Sequence, residues 1–105
     1  MTEKISALCG YTAYRIDAED YQRLNDANCF GDICDECNKS ITVGVYVPAL
    51  NHVMCDDCFA SWCAISSYYE DDIEYEQLNI KWFESWCKYL SIKMQFRKEK
   101  TNVQI

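Results

Sequence analysis

Cys34-Asp35-Glu36-Cys37 and Cys55-Asp56-Asp57-Cys58 are two Cys-x-x-Cys pairs with seventeen residues between them, and they decide the fold. A two-residue spacer lets a tight knuckle aim both of its sulfurs at one point. Four thiolates then complete the tetrahedron that Zn²⁺ accepts. Cys34, Cys37, Cys55 and Cys58 are therefore the expected ligands of one structural zinc ion, with Ile33, Met54 and Phe59 placed to shield the sulfurs.

The residues between and after the pairs have their own local signals. Ile41-Thr42-Val43-Gly44-Val45-Tyr46-Val47 is β-branched and reads as a strand ended by Pro48. Asn51-His52-Val53-Met54 reads as the return strand of a hairpin. From Cys55 onward the period changes: Phe59, Trp62, Cys63, Ser66 and Tyr69 fall at helical spacing, with Asp56 and Asp57 in the first turn.

This order, a cysteine knuckle, a β-hairpin and a helix opened by the second pair, resembles the treble-clef group of zinc fingers over residues 33–69. A zinc ribbon would place the second pair on another β-knuckle, which the helical spacing after Cys55 disfavours. His52-x-x-Cys55-x-x-Cys58 is also similar to the middle of LIM and RING fingers. A RING needs a further Cys just before His52 and a final Cys-x-x-Cys, and a LIM domain needs a Cys where Ser61 stands. His52 is thus expected to be a hairpin residue and not a ligand.

Outward from the finger, Ile5–Ile16 reads as an extended or irregular arm, and Asp17 can cap a short helix through about Asp26. A further helix is expected from near Asp72 to about Met94. Its apolar stripe of Tyr75, Leu78, Trp82, Phe83, Trp86, Tyr89 and Leu90 should pack on the preceding aromatic helix. The expected fold is small α+β, a zinc-stabilised treble clef followed by a second packed C-terminal helix. The single domain 1–105 divides into an arm and short helix (1–33), the finger (34–69), the C-terminal helix (70–96) and a polar tail (97–105). Four cysteines remain: Cys63 and Cys87 fall on apolar helix faces as buried thiols, while Cys9 and Cys29 could pair or join a second metal site.

A chain of 105 residues is one domain's worth, and at 50% hydrophobic with three Gly and one Pro it is not a linker or a disordered tail. Met1–Cys9 lacks the pattern of an export signal, and no run approaches the roughly 20 apolar residues needed to span a bilayer. The expected location is the cytoplasm, where thiols stay reduced and disulfides are rare.

Composition argues against an enzyme. One histidine supports no triad beyond a Cys–His pair, there is no Gly-rich phosphate loop, and four thiolates leave zinc no open position for water. The Asp-Glu and Asp-Asp spacers disfavour redox-active thiolates.

A binding module is the expected class. The net charge of −7 is unevenly spread: residues 70–79 hold five acids and no base, whereas 80–105 hold six bases and two acids. Glu70, Asp71, Asp72, Glu74, Tyr75 and Glu76 mix carboxylates with an aromatic anchor and are the candidate surface for a protein partner. The alternative is a nucleic-acid-binding regulator using Lys81, Lys88, Lys93, Arg97, Lys98 and Lys100, which the net charge disfavours. In size, charge and finger the chain looks like the small acidic cytosolic proteins of bacteriophages and mobile elements, some of which inhibit host defence nucleases. That likeness implies a viral inhibitor acting in the host cytoplasm, blocking a nucleic-acid enzyme without chemistry of its own.

Overall fold

Residues 1–98 are described by a computed structural model of the chain. Strands β1 (Thr2–Ser6) and β2 (Thr12–Ile16) precede helix α1 (Ala18–Asp26). Strands β3 (Gly44–Val47) and β4 (His52–Met54) follow, then helices α2 (Asp56–Ile65) and α3 (Ile73–Tyr89), and strand β5 (Met94–Lys98). A single 3₁₀ turn, Glu70–Asp72, leads into α3. The five strands form one sheet in the order β4-β3-β2-β1-β5, antiparallel except for β1 with β5. The protein is thus a small mixed α+β structure.

The segment expected as an arm is instead the middle of this sheet. β1 and β2 pair from Glu3↔Arg15 to Ser6↔Thr12, and the turn between them is closed by Ala7 N–H to the Tyr11 carbonyl. Gly10 makes that turn possible. Its φ of +101° lies where L side chains are strained, and a Cβ there would stand 3.0 Å from the Tyr68 Cβ.

α1 begins where the sequence places it. The Asp17 carboxylate accepts the Asp20 N–H at 2.9 Å, and the helix ends at Asp26; beyond it Asn28 takes a left-handed φ of 65° that lets Cys29 N–H reach the Leu24 carbonyl. The β3–β4 hairpin turns through Pro48–Asn51. Asn51 takes φ 56° and accepts the Tyr46 hydroxyl at 2.7 Å.

Tyr14 and Tyr46 are cross-strand partners on one face of the sheet. Phe83 of α3 packs on both, with ring centroids at 4.5 and 4.9 Å, and Phe30 closes the cluster at 5.2 Å from Tyr46. Arg15, next to Tyr14 and so on the opposite face, meets α2 through Asp56 and lies over the Phe59 ring. The two aromatic helices therefore pack on the sheet, not on each other as expected. Each finds a larger apolar surface there than one helical stripe offers.

α2 ends at Ile65, short of Tyr69, and α3 ends at Tyr89, short of the expected 94–96. Ser91 adopts a left-handed φ of 59°, and Ile92 N–H closes on the Cys87 carbonyl at 2.8 Å. The chain then turns back, so Met94–Lys98 is a strand beside β1. Of the expected polar tail, residues 99–105 lie outside the described residues.

Charge also tethers α3 to the sheet. Lys4 Nζ lies 2.7 Å from Glu84 Oε2, and the Tyr14 hydroxyl donates to the same oxygen. Burial pushes the Glu84 carboxyl upward, but the Lys4 and Tyr14 hydrogen bonds outweigh it and hold it below the ordinary value. Such a group stabilises fully above its unfolded pKa of about 4.3, and this is lost as pH falls through the lower folded value. The stability difference between wild type and Glu84→Gln should be level above about pH 5 and shrink below about pH 4. Denaturant melts across that range check it, and a constant difference would remove Glu84 from the acid limb.

Candidate metal centre

The first cysteine pair lies on a loop between α1 and β3, and hydrogen bonds give that loop its shape. Ile33 bridges Ser40, Cys34 N–H donates to the Lys39 carbonyl at 2.8 Å, and Asn38 N–H donates to the Cys34 carbonyl at 2.9 Å. Asn38 takes the left-handed φ of 63° that so tight a knuckle needs. Asp35 fastens the knuckle to β4: its N–H donates to the Val53 carbonyl, and its carboxylate accepts the Val53 N–H at 2.8 Å. Two residues beyond Val53 the second pair begins.

Cys55 is the N-cap of α2 and Cys58 lies in its first turn, so the start of the helix sets the spacing of this pair. Cys55 N–H donates to the Cys34 sulfur at 3.3 Å. The four Sγ atoms all lie within 4.8 Å of one another, and Cys37 and Cys55 are 4.0 Å apart. Two sulfurs bound to one tetrahedral zinc at about 2.3 Å would sit about 3.8 Å apart, so the set fits a single ion. Among the described residues it is the one group of three or more close His, Cys, Asp or Glu donors.

The sulfurs are not equivalent. Cys34 is buried, Cys55 and Cys58 are half-buried, and Cys37 is exposed. Burial works against ionising Cys34, yet backbone N–H groups of Cys37, Cys55 and Glu36 outweigh it and bring that thiol down to about 6. Hydrogen bonding to Cys55 is the main reason Cys58 is pushed up to about 12. Bringing four thiols together makes each further ionisation harder, and a divalent cation reverses that cost. Of the three residues expected to shield the sulfurs, Met54 and Phe59 are buried and Ile33 is 46% exposed.

His52 stands apart from the sulfur set. It opens β4, and its Nδ1 lies 2.7 Å from a Glu36 carboxylate oxygen, which ties the first spacer to the hairpin.

The acidic run divides into carboxylates that turn inward and carboxylates that face solvent. Glu76 is only 3% exposed and accepts the Thr12 N–H at 2.8 Å, while Asp72 is half-buried and accepts the Tyr11 hydroxyl at 2.5 Å. Both are anchors of the β1–β2 hairpin. Glu70, Asp71, Glu74 and Tyr75 point to solvent. A signal for this was present: Glu76, Phe83 and Cys87 share one helical stripe, and all three are buried.

Of the remaining cysteines, Cys87 is buried, and burial raises its thiol to about 12. Cys29 packs against the core, and Cys9 meets Cys63 of α2.

The fold and site together define a small α+β protein with a possible four-cysteine metal centre. No family model, curated protein or solved structure matches the chain. No described helix is long and apolar enough to cross a membrane.

Proposed function

We propose that this chain is a non-enzymatic, zinc-stabilised interaction module that takes a protein partner on its acidic surface. Zinc is the ion that four thiolates at these separations suit, and with all four bound it has no position left for a reacting water. The knuckle, the β3–β4 hairpin and α2 with its opening cysteine pair support a treble-clef reading of this half of the chain. Reduced thiols in that role suit a cytoplasmic setting.

One observation carries the partner reading: the sorting of the acidic run. Asp72 and Glu76 lock the segment onto the β1–β2 hairpin, and this holds Glu70, Asp71, Glu74 and Tyr75 outward on a fixed frame. Carboxylates so held lose little freedom on binding and present the spaced negative charge that a basic, phosphate-binding groove attracts. The partner would be a protein with such a groove, and blocking a nucleic-acid enzyme is the form its action would take.

Asp71→Lys combined with Glu74→Lys tests this without disturbing either anchor. Affinity capture from the native host lysate should recover the partner with wild type and roughly tenfold less with the double variant at low salt, because reversed charge turns attraction into repulsion. Metal content and melting temperature should be unchanged. Undiminished capture would reduce the acidic run to a helix start.

A further inference from the structure

We propose that Cys9 and Cys63 form a second, separate sulfur site: a dithiol that closes to a disulfide when it meets a low-molecular-weight disulfide such as oxidised glutathione. Cys9 lies in the β1–β2 turn and Cys63 on α2, 54 positions later, and their Sγ atoms are 3.1 Å apart.

That separation discriminates between the two things neighbouring thiols do. Sulfurs sharing a tetrahedral zinc are held about 3.8 Å apart, as the metal-site pair Cys37 and Cys55 are at 4.0 Å. Cys9 and Cys63 are too close for an ion between them, and no third donor joins them among the described residues. They need to approach by only about 1 Å to reach an S–S bond of about 2.05 Å.

The surroundings already hold the pair together in its reduced form. Tyr11 and Trp62, which flank it, are in ring contact at 5.6 Å, and Gly10 packs on Tyr68. A groove of about 650 Å³ lined by Leu8, Phe59, Ala60 and Ser66 runs beside both sulfurs and admits a small reagent. Burial, reinforced by the Cys63 thiol, pushes Cys9 up to about 11, so little of it is thiolate at neutral pH and the exchange is slow until the pH rises.

The reaction is two exchanges. One protein thiolate attacks a sulfur of oxidised glutathione, forming a mixed disulfide and expelling one glutathione thiolate, which takes up the proton. The second protein thiol, as its thiolate, attacks the protein sulfur of the mixed disulfide and expels the other glutathione. Two protein thiols lose two electrons and two protons, and one glutathione disulfide becomes two thiols. The new bond ties the β1–β2 turn to the helix that carries Cys58, so α2 stays docked on the sheet when the metal leaves.

The test uses the full chain loaded with zinc and equilibrated in glutathione buffers of rising oxidised fraction. Free thiols are then alkylated and the peptides mapped by mass spectrometry. The expected product has lost two hydrogens, contains a cross-linked Cys9–Cys63 peptide and keeps one equivalent of metal. Cys63→Ser should leave Cys9 as a free thiol or a glutathione adduct. After chelation, α2 amides in the oxidised protein should exchange at least roughly tenfold more slowly than in the reduced protein, since the cross-link restrains the opened state. Recovery of Cys9 and Cys63 as separate thiols or adducts while metal stays bound would overturn the proposal. So would oxidation of Cys34, Cys37, Cys55 or Cys58 before them.

Discussion

Replacing Cys34 by serine should abolish stoichiometric metal binding and melt the knuckle and α2, while β3 stays in the sheet. Cys34 is the buried member of the set, and its sulfur also accepts the Cys55 N–H, so a hydroxyl there loses a ligand and leaves the junction of knuckle and helix poorly matched. A structural zinc site contributes on the order of 10–16 kcal/mol of apparent binding free energy at neutral pH, comparable with the roughly 5–15 kcal/mol total stability of a small domain. Apart from the metal, the knuckle is held by one isolated bridge and by Asp35 on Val53, and α2 by Asp56 on Arg15 and by Phe59, its one buried side chain. Metal analysis should therefore fall from one equivalent to near none, with loss of the α2 contribution to the far-ultraviolet circular dichroism. A strong chelator should do the same to wild type. Cys37→Ser should be milder, because its sulfur is exposed and water can take its place. A Cys34→Ser protein that keeps one equivalent of metal and its melting temperature would refute the four-sulfur centre.

Phe83→Ala should be the most damaging change on the other face of the sheet. Phe83 is fully buried against Tyr14, Tyr46 and Phe30, with centroids at 4.5, 4.9 and 5.9 Å. Removing the ring opens a cavity where three aromatics converge, at a cost of about 3–5 kcal/mol in chemical denaturation. Trp82, its neighbour in sequence, is 38% exposed, and Trp82→Ala should cost clearly less. The comparison separates the core of α3 from its flank, where Trp82 still meets the Tyr46 and Phe30 rings at centroid distances of 6.0 and 6.2 Å. Equal losses at the two positions would mean that α3 does not sit on the sheet through Phe83.

How far the sequence is legible follows from how local each feature is. The Asp17 cap, the Pro48–Asn51 turn and the helix start at Asp56 depend on residues within a few positions of one another, and all three stand where local chemistry places them. β1, β2 and β5 were not legible. Thr2-Glu3-Lys4-Ile5-Ser6 has no apolar alternation of its own and becomes a strand because β2 and β5 supply its hydrogen bonds from both sides. Leu90, Ile92 and Met94 continue the apolar spacing of α3, and nothing in that spacing announces the left-handed turn at Ser91.

The sequence by itself determined the four metal-binding candidates, because a Cys-x-x-Cys spacer sets where two sulfurs point whatever surrounds them. Only the tertiary structure decided what the inward carboxylates meet, the Tyr11 hydroxyl and the Thr12 N–H, and that Cys9 meets Cys63. It also decided that Thr2 pairs with Met94 across nearly the whole chain. These depend on contacts between distant segments, whose free energy comes from burying a shared surface and leaves no periodicity in either segment alone.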